Sequence, residues 1–373
     1  MNLLFWQRAQ PAQAEDAIAS APANVVPPLL VPLMALAGWG LVGETTQWAT
    51  LTIAGIGMGM ILFMAASGLT LVFGLMQVMN FGHAVFFTLG AFIGGLLLWP
   101  KAFLLTYPGF WVDNIVVNLL SLFSAGVLGM IAAAYAAPDP WLNLAALLAA
   151  SLLMLCVCIP IGLLFERCII RPAGRATLTQ VMMTVAGMVV IHELIIATLG
   201  RGTYIRPMPA FSGAIVFGDL AIEKYRLLMI ALGLLTWGLL TWLLKGTRVG
   251  LLVRATVENR EQVEALGYRT RRLMLTIFSL GVALGALGGL VWAIYQRSAG
   301  INLGNSLMPL LFMVLMIGGL GSMTGTLIAA LLLGLLNNYV AFSYPVFTAF
   351  SAILLALAVI SWRPQGLYPL SRA

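Results

Sequence analysis

Polar positions in this chain are few and clustered, and long apolar stretches run between them. Such stretches occupy roughly 25–43, 50–76, 83–99, 114–136, 142–165, 178–199, 226–244, 273–296, 306–320, 324–342 and 346–362. A helix crosses a bilayer with about 20 apolar residues, within a range of about 17–25. The stretches are continuous, whereas a membrane β-barrel alternates apolar and polar positions over strands of about 10 residues. The pattern predicts an all-α polytopic membrane protein with about 8–11 transmembrane or re-entrant helices. The 83–99 and 306–320 stretches are short and flanked by glycine. Such pieces form half-helices where the backbone faces protein or a cavity instead of lipid.

Composition removes the soluble alternative. Of 373 residues, 61% are hydrophobic and 8% charged, against about 25% charged in a soluble domain. Mean hydropathy is +1.02. Three regions follow: a polar tail at 1–24, a single membrane domain at 25–365 and a C-terminal tail at 366–373. Ala12-Gln13-Ala14 resembles a signal cleavage site, but Leu3 to Trp6 is too short for an apolar core of about 7–15 residues. The tail's start reads as a segment lying on the membrane surface. Cys156, Cys158 and Cys168 suggest no disulfide framework.

Net charge is +7. The basic residues sit in short loops between apolar runs, so membrane orientation explains them without a nucleic acid partner. Arg167, Arg171 and Arg175 mark one cytoplasmic loop. Lys245, Arg248, Arg254, Arg260, Arg269, Arg271 and Arg272 mark a second, at 245–272. The C-terminus then falls inside; if every segment spans, the N-terminus falls outside. The 245–272 loop is the most charged part of the chain. Its portion 254–267 reads as a short amphipathic helix, with Val253, Val257, Val263 and Leu266 as an apolar stripe and Gly267 as the stop. Either it merely connects two spans or it docks a cytoplasmic partner. Glu258, Glu261 and Glu264 favour the partner, because a purely lipid-binding helix is mostly basic on its polar face.

Enzyme chemistry finds little support. His192-Glu193 lacks the second histidine of a zinc protease helix, since position 196 is Ile. His83 is the only other histidine, which argues against a metal site. There is no Gly-x-Ser-x-Gly elbow and no phosphate-binding Walker sequence. The spans are nearly free of acids, with Glu193 alone well inside one, so they offer little from which an ion relay could form. A self-sufficient transporter or facilitator and a non-transporting membrane scaffold remain as alternatives. The charged cytoplasmic segment favours energy supplied by a partner.

Five segments together resemble the permease subunits of branched-chain amino acid ABC transporters. They are Asn80-Phe81-Gly82-His83 within 78–92, the Glu166-Arg167…Arg171-Pro172 loop, 254–267, Gly318-Gly319-Leu320-Gly321-Ser322 running on to Gly325, and Arg363-Pro364-Gln365-Gly366. Their order resembles the shorter of the family's two permease types; the 1–24 tail and a long stretch at about 100–141 depart from it. The resemblance implies an importer in the bacterial inner membrane. A binding protein outside delivers an amino acid, amide, urea or carboxylate. A second permease, as a heterodimer, completes the path, and two ATP-binding subunits drive it. No cofactor is expected on this chain; ATP and Mg belong to the partners.

Within that frame, residue roles can be assigned. Asn80 and His83 lie beside a helix start, where they either cap the broken helix or face the substrate path. Ser322 and Thr324 carry the same two readings in the second half. Phe81 is a packing or gating residue, as are Phe86 and Phe87. Gly90, Gly94 and Gly95 read as helix-packing positions. His192 and Glu193 read as a local polar pair between helices. For ATPase coupling the candidates are Arg254, Glu258, Asn259, Arg260, Glu261 and Gly267, with no catalytic or metal-binding residue. Offset by 239 residues, Gly82, Ala91, Gly95, Leu96 and Leu97 fall on Gly321, Ala330, Gly334, Leu335 and Leu336. That match predicts an internal inverted repeat with the path at its interface.

Overall fold

The computed structural model describes residues 26–76, 80–98, 130–131, 133–134, 136–174, 176–205 and 208–368. The 1–24 tail, most of the 114–136 segment and most of the 100–141 stretch lie outside these residues. The helices are α1 (Val26–Val42), α2 (Thr45–Met76), α3 (His83–Leu97), α4 (Pro140–Phe165) and α5 (Thr177–Leu199), then α6 (Lys224–Gly246), α7 (Arg248–Glu258), α8 (Arg260–Ala265), α9 (Thr270–Gln296), α10 (Leu303–Gly318), α11 (Met323–Ser343) and α12 (Thr348–Trp362). Seven described helices are long and apolar enough to cross a membrane, and those at 27–42, 83–97 and 303–318 are shorter apolar helices. The chain is a polytopic α-helical membrane protein. At one end, strand β1 (Gly202–Tyr204) pairs antiparallel with β4 (Ser298–Gly300), and β2 (Ala214–Phe217) with β3 (Leu220–Glu223).

Helices α2 and α9 form the buried centre, while the apolar stretches of α4, α5, α6 and α12 bury only a minority of their residues. Lipid tails are as apolar as leucine, so helices associate through close backbone packing rather than by escape from water. The sequence supplies small residues at the crossings. A methyl group on Gly334 of α11 would overlap Gly55 and Gly59 of α2. On α9, Gly285 lies against His83, Gly288 against Ala65 and Gly289 against the Phe87 carbonyl. Gly90 and Gly94 meet Ala286 and Leu290, which is the packing role expected of them.

These contacts also fix direction. Along α2, positions 55, 59 and 74 meet 335, 331 and 321 in turn, so α2 and α11 run antiparallel. Positions 65 and 72 meet 288 and 281, so α9 is antiparallel to α2 as well. The unit α2–α3 and the unit α10–α11 therefore both run toward the arginine-loop end and back. The pairing at an offset of 239 joins units of like, rather than inverted, direction. Helix α1 folds back on α2 through Gly43 (φ 76°), and its first residue points to the arginine-loop end. The start of α1 thus lies on the side opposite to the one it has when every segment is counted as a span.

The first residues of the 366–373 stretch are packed against the bundle. Leu367 is fully buried, and its N–H donates to the Ile317 carbonyl at 2.8 Å, while Tyr368 N–H donates to Gly318 at 3.0 Å. Residues 366–368 close the end of α10, and 369–373 lie outside the described residues.

Candidate functional site: a helix break and a cytoplasmic helix pair

The break before α3 carries Asn80, Phe81 and His83. Asn80 and His83 are buried, at 1% and 0% exposure. Neither side chain caps α3: the cap position is Gly82 and it receives no side-chain bond, so the capping expectation is not met. Backbone carbonyls serve instead: that of Asn80 accepts from His83 N–H at 3.3 Å and that of Gly82 from Val85 N–H at 3.1 Å. Among the described residues, both polar atoms of the Asn80 amide and both His83 ring nitrogens lack a hydrogen-bond partner. Buried polar atoms are nearly always paired, so four orphans within four residues are exceptional. The His83 ring is wedged between Gly68 of α2 and Gly285 of α9. Phe86 packs edge-on to Phe165 and Phe278, as a core residue does.

The second break, at 319–322, lies against the same helix. Gly321 touches Gly74 of α2, and Thr326 shares a buried 3.0 Å hydrogen bond with Thr70. Phe81 stacks obliquely on Phe312 of α10 at 5.4 Å, and Phe73 meets Phe312 edge-on at 6.4 Å. The tertiary structure therefore gathers both breaks around the last turns of α2. Ser322 caps α11 by accepting from Gly325 N–H at 3.1 Å, which gives it a structural task. Thr324 is half-buried just beyond it, in the first turn of α11. His192 and Glu193 do not form a pair between helices. Their closest approach is 3.7 Å, and the Glu193 side chain is 68% exposed on the outside of α5.

The 245–272 loop forms two helices, not the single one expected. Thr247 caps α7, accepting from Gly250 N–H at 3.2 Å. A side chain at Gly250 would overlap the Leu244 carbonyl, so glycine permits the sharp fold of α7 against α6. The helix stops at Asn259, whose backbone is extended (φ −147°). Its side-chain oxygen accepts from Gln262 N–H at 3.1 Å and starts α8. Asparagine competes for local backbone bonds and so favours such a cap over a helix interior. Gly267, at φ 85°, ends α8. Its N–H donates to Glu264 at 2.9 Å, and Tyr268 N–H to Val263 at 3.3 Å, the paired bonds of a Schellman stop.

This geometry divides the segment into an inner and an outer face. Val253 and Val263 are buried, and Val253 belongs to the core formed with α2 and α9. Val257 is half-buried against that core. Leu266, assigned to the inner stripe by sequence spacing, is instead 76% exposed. Val263, also beyond the break at Asn259, keeps its inward place, whereas Leu266 is the C-cap residue at which α8 has already ended. Arg254, Glu258, Asn259, Arg260, Glu261 and Gly267 all lie on the outer face. Exposed Leu251, Leu266 and Tyr268 join them there. Sequence reasoning missed these three because apolar residues were read as inward-facing. Glu264 joins the two ends of the loop: its carboxylate takes Arg260 at 2.9 Å and accepts from the Thr270 hydroxyl at the start of α9.

A membrane bundle with broken helices at its centre, and a charged helix pair braced against that centre, defines a transport subunit rather than a soluble enzyme. The chain belongs to the family described as branched-chain amino acid transport system, permease component, whose pattern matches residues 51–361. It is a multi-pass protein of the bacterial inner membrane. It is 22% identical over 325 residues to the high-affinity branched-chain amino acid transport system permease protein LivH of Salmonella typhimurium LT2, covering 84% of this chain and 92% of that protein. BraD of Pseudomonas aeruginosa, a permease protein of the same description, is 22% identical over 84% of this chain and 94% of its own length. A shorter similarity, 27% over 139 residues, links it to the autoinducer 2 import system permease protein LsrC of Escherichia coli O9:H4, across 35% of this chain and 39% of that one. No solved structure matches.

Proposed function

We propose that this chain is a permease subunit of an ATP-driven importer for branched-chain amino acids or closely related solutes. A second permease completes the path, an extracellular binding protein delivers the solute, and two ATP-binding subunits supply the energy with ATP and Mg. The observation that carries this reading is the α7–Asn259–α8 segment. Its outer face mixes Arg254, Glu258, Arg260 and Glu261 with exposed Leu251, Leu266 and Tyr268, a composition suited to a protein groove. Its inner face rests on α2 and α9 through Val253. Those two helices hold His83 between Gly68 and Gly285, so a push on the segment reaches the helix break through packed backbone. Asn80, Phe81 and His83 line the path in this reading, with Ser322 and Thr324 opposite. The unpaired atoms of Asn80 and His83 are where a polar solute or water would bond.

The test is reconstitution with the ATPase subunits. Glu261→Arg reverses a charge on the outer face and is expected to abolish ATP-dependent uptake while leaving membrane insertion intact. Wild-type uptake by that variant, or ATP-independent uptake by the lone chain in proteoliposomes, would overturn the reading.

A further inference from the structure

At the end of the bundle opposite the arginine loops, a cavity of about 460 Å³ opens between α4, α6, α9 and the 208–214 turn. That volume lies in the range of small-molecule sites, about 300–1,000 Å³. Its lining is chemically mixed. Met208, Phe211 and Ile294 are among its apolar residues. Glu223, Arg226 and Arg297 are its charged ones. Glu223 holds Arg226 at Nε, 2.6 Å away, which orients the guanidinium. The other Arg226 nitrogens make no hydrogen bond among the described residues. Arg297 is the only described residue other than glycine with positive φ, at 57°. Helices commonly end on a residue in this left-handed conformation, and the Arg297 N–H donates to the Ile294 carbonyl at 3.2 Å. Here the left-handed turn ends α9 and sets Arg297 on the cavity wall.

We propose that this outer cavity binds an apolar α-amino acid as its zwitterion, with the carboxylate on Arg226 and Arg297, the ammonium on Glu223 and the side chain on Met208, Phe211 and Ile294. The inference rests on the reading that the cargo is of the branched-chain amino acid type. Guanidinium groups match a planar carboxylate with paired donors. A carboxylate beside them rejects simple anions unless the ligand also brings a positive charge. The cavity then serves as a receiving site on the outer side, above the helix breaks.

The full complex in nanodiscs, without its binding protein, is titrated with radiolabelled L-leucine. Saturable binding is expected, and leucine methyl ester and 4-methylpentanoate should each bind at least tenfold more weakly. Arg297→Gly deletes the guanidinium while accepting the positive φ, so the fold is kept; it and Glu223→Gln should each weaken leucine binding at least tenfold. Unchanged binding in both variants overturns the inference. So does 4-methylpentanoate or glycerol phosphate binding as tightly as leucine, the latter marking an anionic lipid headgroup site. ATP-dependent leucine uptake is measured in parallel: uptake without cavity binding sinks this inference and leaves the importer reading standing. Cavity binding of leucine without uptake does the reverse.

Discussion

Gly267 offers a graded test of the cytoplasmic helix pair. Its φ of 85° and its N–H bond to Glu264 at 2.9 Å are separate requirements, and substitutions can break them one at a time. No atom lies within 4 Å of where a β-carbon would stand, so alanine meets no steric neighbour. Its cost is conformational alone, about 1–2 kcal/mol for an L-residue in the left-handed region. Asparagine tolerates that region and should cost less. Proline cannot reach positive φ and also removes the donor, adding about 1 kcal/mol or more for the lost bond. Opening of the loop end is read by hydrogen exchange across 259–272. A loss of about 1–2 kcal/mol corresponds to protection falling about 5–30-fold. The expected order of exchange, slowest first, is wild type, Asn, Ala, Pro, with Pro also failing to couple ATP hydrolysis to uptake. Equal protection in wild type and Gly267→Ala would refute the argument that backbone conformation sets the stop.

Other substitutions probe the bundle. Gly334→Val places a branched side chain on the Gly55 and Gly59 backbone, and overpacking of this kind costs about 1–3 kcal/mol; a lowered melting temperature in detergent checks it. Thr326→Val removes the hydroxyl shared with Thr70, yet Thr70 keeps its bond to the Ala66 carbonyl at 2.9 Å. The loss should therefore stay near the membrane average of about 0.6 kcal/mol, measurable as a double-mutant cycle with Thr70→Val.

What the sequence determined by itself, among the described residues, is where the long apolar helices run and the class of protein. Uninterrupted apolar runs can satisfy their backbone in a bilayer only as helices, so their existence needs no tertiary information. The glycine-marked breaks near 82 and at 319–322, and the charged loop at 245–272, were equally legible, because a local excess or lack of polarity marks them. Gly267 was legible as a stop for the same local reason. Three features were not. The meeting of the two breaks at Gly74 and Gly321 depends on crossings between residues hundreds of positions apart. The direction of the repeated units depends on the same crossings. The outward turn of Leu266 depends on where α8 ends, since it is that helix's C-cap residue. The orphaned polar atoms of Asn80 and His83 and the outer cavity with its mixed lining are likewise properties of packing. Local composition fixes which pieces cross the membrane; only close backbone contact between distant glycines decides what each piece faces.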